Sequence, residues 1–105
     1  MDKYGILAEL DLIAKEKEKL RQAQDGLVVI TRSNRKAYED MKEEIRNSTE
    51  PFTKLREYEL EEQWVEVLQK ENEFYKEIEI YRLVINKRRD ELVEQLKELA
   101  QNQEG

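Results

Sequence analysis

The sequence predicts an all-α protein: a long antiparallel helical hairpin, coiled-coil-like, that dimerises into a four-helix bundle. The first observation is composition, because 42% of the 105 residues are charged and there are only 3 Gly and 1 Pro. Such a composition is typical of long helices whose outer faces are ionic. The second is an apolar spacing that alternates between three and four residues, which keeps one stripe of a helix facing a partner. The third is a single cluster of turn-forming residues near the middle of the chain.

The first helix is predicted over about residues 3–46. Its stripe passes through positions 6, 10, 13, 17, 20, 24, 27, 31, 34, 38, 41 and 45. Eight of these twelve positions are apolar, and the polar exceptions are Lys17, Gln24, Thr31 and Asn34. A polar residue such as Asn34 on a seam of this kind commonly fixes register or oligomeric state at some cost in stability.

Gly26 raises the alternative of a break in this helix. Asp25-Gly26 is a turn-type dipeptide, and residues 27–31 have high strand propensity. No second β-branched run is present to pair with that segment, and Gly inside a helix costs only about 1 kcal/mol relative to Ala. We therefore predict a continuous helix, with a three-helix bundle broken near Gly26 as the alternative.

The turn is predicted at about residues 47–51. Asn47, Ser48 and Thr49 are good helix N-caps, and Pro51 is accepted in a first helical turn because its missing N–H has no helical partner there. The second helix then spans about residues 52–101. We expect one helical domain over residues 1–105.

The second helix carries more apolar residues than one hairpin partner covers. Its stripe passes through 60, 64, 67, 71, 74, 78, 81, 85, 88, 92, 96 and 99, with Glu71 and Arg88 as the polar exceptions. Each large apolar side chain left in water forfeits about 1.5–3 kcal/mol. We therefore predict that the middle of this helix binds a second copy of the chain, another protein, or both. The predicted interface comprises Trp64, Val65, Leu68, Tyr75, Ile80, Leu83 and Val84.

Lys87, Arg88 and Arg89 form a basic cluster that could make a weak phosphate contact. Asp90 and Glu91 follow it directly, and the net charge of the chain is −6. This favours a solvated, salt-bridged helix face over a nucleic-acid site, which usually has a net basic balance.

The sequence argues against catalysis. It lacks cysteine and histidine, which removes thiolate nucleophiles and the commonest general base and transition-metal ligand. Adjacent carboxylates such as Glu61 and Glu62 point about 100° apart on a helix and do not converge. We predict no catalytic residue, no cofactor site and no metal site.

Glu9 and Asp11 interrupt the apolar residues of the N-terminus too early for a signal peptide. No stretch of the sequence approaches the roughly 18 apolar residues that a membrane span needs, so we expect no membrane association. We therefore expect a cytoplasmic protein. The expected function is non-enzymatic protein–protein interaction through coiled-coil packing, in a structural, adaptor or chaperone-like role. The alternatives are a small helical regulator or inhibitor of a target enzyme and, less favoured, a nucleic-acid-associated accessory protein.

Overall fold

Two long helices form an antiparallel hairpin in the computed structural model, which describes residues 2–104. Helix α1 spans Lys3–Arg46 and helix α2 spans Thr53–Glu104, with no strand in the described part of the chain. The predicted fold class, an all-α helical hairpin, is thereby confirmed. Dimerisation into a four-helix bundle stays a prediction. Met1 and Gly105, the ends of the predicted domain 1–105, lie outside the described residues.

Asp2 caps the start of α1. Its side-chain Oδ1 accepts a hydrogen bond from the Gly5 backbone N–H at 2.7 Å, and its backbone carbonyl accepts one from the Ile6 N–H at 3.0 Å. Aspartate is among the preferred N-cap residues because its carboxylate satisfies an amide that has no partner within the helix. The helix therefore begins at Lys3.

Helix α1 continues without interruption through Gly26 and the β-branched run that follows it. The break near Gly26, and with it the three-helix alternative, does not occur. Leu27 is buried against α2 while Val29 and Ile30 are exposed, so the run has a helical rather than a strand-like pattern of burial. Tertiary packing of Leu27 here outweighs the weak strand propensity of its neighbours.

The connection between the helices occupies residues 47–52. Ser48 accepts a hydrogen bond from the Glu50 N–H through its Oγ at 3.1 Å. Phe52 has a left-handed backbone with φ of 66°, and its carbonyl accepts a hydrogen bond from the Arg56 N–H at 3.1 Å. Because α2 begins at Thr53, Pro51 lies in the connecting turn and not in the first turn of α2. Helix α2 thus starts one residue later than predicted and extends three residues beyond the predicted end.

Contacts along the hairpin fall into two compact units. The first unit combines residues 2–23 with 77–104, and the second comprises residues 24–76. The core of the first unit is formed by buried Ile6, Ile13, Ile85 and Leu92, with Leu10, Leu20, Leu96 and Leu99 packed against it. In the second unit the buried residues are Leu27, Ile45 and Glu71.

The predicted stripe of α2 is wrong at two positions. Phe74 and Tyr81 lie on that stripe, but both side chains are exposed, at 60% and 45%. Tyr75 and Arg82, one residue further along, are half-buried in their place. Glu71, Ile78 and Ile85, which the stripe places correctly, are seven residues apart. The intervening stripe residue can lie either three or four residues after each of them, and the sequence pattern allows both choices. On α1, Met41 is likewise exposed although it lies on the predicted stripe.

Candidate partner-binding surface

The seven predicted interface residues divide into two groups in the structure. Trp64 and Tyr75 are half-buried. The other five side chains are exposed, between 41% and 61%, and they are Val65, Leu68, Ile80, Leu83 and Val84. The first group therefore contributes to packing within the hairpin, whereas the second group remains accessible to a partner.

Trp64 contacts α1 through an aromatic stack within the second unit. Its ring lies 4.6 Å from the Tyr38 ring, centroid to centroid, with an interplanar angle of 9°. The Tyr38 hydroxyl donates a hydrogen bond to Glu61, and Lys42 Nζ lies 3.4 Å from the same carboxylate. The hydrogen bond from Tyr38, reinforced by Lys42, lowers the pKa of Glu61. Trp64 thus joins the two helices.

Three of the exposed residues, Ile80, Leu83 and Val84, form one surface in the first unit, which we call the 80–84 surface. Their spacing of three and four residues puts them on one side of α2. At 100° per residue they lie about 100–160° around the helix from buried Ile85, so they face away from α1. Nothing in the first unit covers them, since each remains about 60% exposed.

Two opposite charges border the 80–84 surface. Glu77 lies three residues before Ile80, and Lys87 lies three residues after Val84. Both side chains are exposed, and neither forms an ion pair with any residue in the described range. The surface therefore has an apolar centre bordered by Glu77 on one side and Lys87 on the other, with Lys76 next to Glu77 and with Asp90 and Glu91 close to Lys87.

A second surface, which we call the 58–68 surface, lies on α2 in the second unit and comprises Tyr58, Val65 and Leu68. Sequence reasoning did not include Tyr58 in the interface. The available signal was its seven-residue spacing from Val65, which puts both at the same heptad position. Tyr58 donates a hydrogen bond to Glu62, which raises the pKa of the phenol.

The 58–68 surface is strongly acidic. Residues 57–73 contain seven glutamates and one lysine, a net charge of −6, and all of these glutamates except Glu71 lie outside the buried core. The whole chain also has a net charge of −6, so the remaining residues are balanced. Exposed charge of one sign attracts partners of the opposite sign and raises their association rate. This surface therefore combines apolar contacts with a negative potential.

The basic cluster is largely paired with carboxylates. Arg88 donates two hydrogen bonds to Glu9 on α1, at 2.7 and 3.0 Å, and a longer one to Glu91. The Arg88 guanidinium lowers the pKa of Glu9. Arg89 is paired with Asp90 at 3.0 Å. Lys87 and Arg89 are both exposed, but of the three cations only Lys87 forms no ion pair with a described residue, so the proposed phosphate contact would have to rely mainly on it.

One polar exception from each apolar stripe, Asn34 and Glu71, meets the other in the second unit. Asn34 Nδ2 on α1 donates a hydrogen bond to Glu71 Oε1 on α2 at 3.0 Å, and Glu71 is only 8% exposed. Thr31 Oγ1, another exception, is buried without a hydrogen-bond partner in the described part of the chain. A directed hydrogen bond is lost when one helix slides past the other, so Asn34 and Glu71 favour a single register.

Within residues 2–104, no group of three or more acidic side chains is placed to hold a metal ion. Neither described helix contains a segment long and apolar enough to cross a membrane. The sequence matches no protein-family model, and neither a curated protein nor a solved structure is significantly similar to it.

Proposed function

We propose that the chain is a non-enzymatic interaction protein, structural, adaptor or chaperone-like, that acts in the cytoplasm and binds partner helices by coiled-coil-like packing. The observation that carries this proposal is the set of apolar side chains on α2 that point away from α1. A helix that is apolar over much of its circumference is usually covered by more than one neighbour.

The free energy of these side chains supports the proposal. Covering one large apolar side chain gains about 1.5–3 kcal/mol when burial is complete. The 80–84 surface and the 58–68 surface offer three such side chains each, from 41% to 61% exposed. Partial burial of either surface therefore supplies several kcal/mol toward association, before the entropy cost of binding is subtracted.

The acidic 58–68 surface favours a second candidate function, the regulation or inhibition of a target protein. A partner with a basic, partly apolar site would match both its charge and its exposed Tyr58, Val65 and Leu68. Phosphate binding has less support, because Arg88 and Arg89 are already paired with carboxylates.

Affinity capture from a lysate of the host, followed by reconstitution of the identified complex from purified proteins, tests the proposal. Two variants disrupt one surface each: Ile80→Glu with Val84→Glu, and Val65→Glu with Leu68→Glu. The matched control is Ser33→Glu with Ala37→Glu, which adds two glutamates at the same four-residue spacing on the exposed side of α1.

We expect at least one surface variant to bind the reconstituted partner at least tenfold more weakly than the wild type, while the control binds it with unchanged affinity. Circular dichroism checks that every variant remains helical. Equal binding by all three variants would show that these surfaces do not mediate interaction, and the proposal would be wrong.

A further inference from the structure

We propose that the 80–84 surface binds the same surface of a second copy of this chain, with the two α2 helices antiparallel. This inference rests on the proposed function, and it specifies the partner, the direction and the register. Homodimers with two-fold symmetry are the commonest closed assembly, and their interface must be self-complementary.

The order of residues along α2 meets that requirement. Glu77, Ile80, Val84 and Lys87 lie symmetrically about position 82. A two-fold axis at this position puts Ile80 opposite Val84 of the second copy and Glu77 opposite Lys87. Leu83, one residue from the axis, then lies beside its own copy. The apolar centre is thereby covered and two Glu77–Lys87 ion pairs form, while one seam position further out Glu73 comes opposite Glu91 of the second copy.

Charge distinguishes this arrangement from a parallel one. In a parallel pair Glu77 would face Glu77, and Lys87 would face Lys87, which repels at both ends. In the antiparallel pair Glu77 faces Lys87, whereas Glu73 and Glu91 face carboxylates in either orientation and so do not distinguish the two. Glu77 and Lys87 are free for this role, because neither forms an ion pair within the described part of the hairpin.

The 58–68 surface does not meet the same requirement. Glu61, Glu62 and Glu66 lie next to its apolar side chains, and no lysine or arginine among the described residues lines it beside them, so contact between two copies there would bring like charges together with no attraction to offset them. Self-association is therefore assigned to the 80–84 surface. With three apolar side chains from each copy, the interface is small, and we expect a reversible monomer–dimer equilibrium.

Charge reversal tests the antiparallel register by sedimentation velocity at low ionic strength. Glu77→Lys alone and Lys87→Glu alone should each weaken the dimer by roughly tenfold, since each turns two attractions into two repulsions. The double variant Glu77→Lys with Lys87→Glu should restore wild-type affinity. Glu43→Lys and Lys36→Glu, the same charge changes at exposed positions of α1, serve as controls and should leave the dimer unchanged.

Disulfide formation gives an independent readout, because the chain has no native cysteine. When Glu77→Cys and Lys87→Cys proteins are mixed and oxidised, the antiparallel register produces disulfides between the two variants. Disulfides that form mainly between two copies of the same variant, joining position 77 to position 77 or position 87 to position 87, would indicate a parallel pair and overturn the inference.

The inference also fails if the wild-type protein stays monomeric at all accessible concentrations, or if the double charge reversal does not restore affinity. Suppose instead that the wild-type protein is monomeric and that Ile80→Glu with Val84→Glu abolishes binding of the reconstituted partner. That result would refute self-pairing and leave the proposed function standing. A dimer with the expected response to charge reversal supports the inference whether or not another protein binds elsewhere.

Discussion

Removing the amide of Asn34 is expected to destabilise the hairpin by about 1.5–3 kcal/mol, the range for a hydrogen bond to a charged group. Glu71 is 8% exposed, and Asn34 donates to it at 3.0 Å. In Asn34→Ala the carboxylate keeps its burial and loses this donor. Because the desolvation cost of this carboxylate is then no longer offset, we expect the loss of unfolding free energy to be well above the ~0.5 kcal/mol typical of surface changes.

Replacing both partners should behave differently from replacing one. Asn34→Leu combined with Glu71→Leu removes the buried charge together with its donor, and apolar replacements of such pairs are often neutral or stabilising. We expect the double variant to be at least as stable as the wild type. The difference in stability between this double variant and Asn34→Ala then measures the cost of leaving the buried Glu71 carboxylate without its donor.

Urea denaturation followed by circular dichroism at 222 nm measures these differences. For a domain of this size, 1 kcal/mol corresponds to a melting-temperature change of roughly 4–8 °C. Ser33→Ala, an exposed neighbour of Asn34, provides the control and should change stability by less than about 0.5 kcal/mol. If Asn34→Ala has no larger effect than Ser33→Ala, the hydrogen bond to Glu71 does not stabilise the hairpin and the reasoning is wrong.

Three further changes report on other parts of the hairpin. Leu92→Ala, at a fully buried position, should cost about 2–5 kcal/mol in urea denaturation, whereas Leu12→Ala, at a position 60% exposed, should cost less than about 1 kcal/mol. Gly26→Ala should raise the melting temperature by a few degrees, since an added Cβ meets nothing within 4 Å and Ala favours a helix by about 1 kcal/mol; a lower melting temperature would contradict a straight, uncrowded helix at that position. Arg88 lowers the folded-state pKa of Glu9 from 4.5, so this pair stabilises the fold above pH 4.5 and the contribution is lost as pH falls through the lowered value. An NMR titration of the Glu9 carboxyl should show its pKa returning toward 4.5 in Arg88→Met, and an unchanged pKa would refute the pairing.

The helical hairpin could be predicted because its cause is local in sequence. Alternating spacings of three and four apolar residues, a high charge content and a single turn cluster all favour two helices that face each other. The side chains of Ile6, Ile13, Ile85 and Leu92, all on the predicted stripes, form the core of the first unit. The continuous path through Gly26 followed from the absence of any second strand-forming run.

The candidate surface was predicted only in part. Surplus apolar residues on α2 indicated that some would remain uncovered, and Val65, Leu68, Ile80, Leu83 and Val84 are exposed. The same reasoning could not distinguish Trp64 from these exposed residues, because the partial burial of Trp64 depends on the Tyr38 ring that lies opposite it on α1. A residue's partner across the hairpin depends on register, which spacing within one helix does not specify.

The sequence by itself therefore determined the helical class, the position of the turn and most of the two apolar stripes, since these depend on residues close together along the chain. Only the tertiary structure decided which of two neighbouring residues turns inward near positions 74 and 81, and which polar residues pair. Asn34 with Glu71 and Glu9 with Arg88 are 37 and 79 residues apart in sequence. Their meeting depends on the register of the two helices within each unit, and that register is a property of the folded chain.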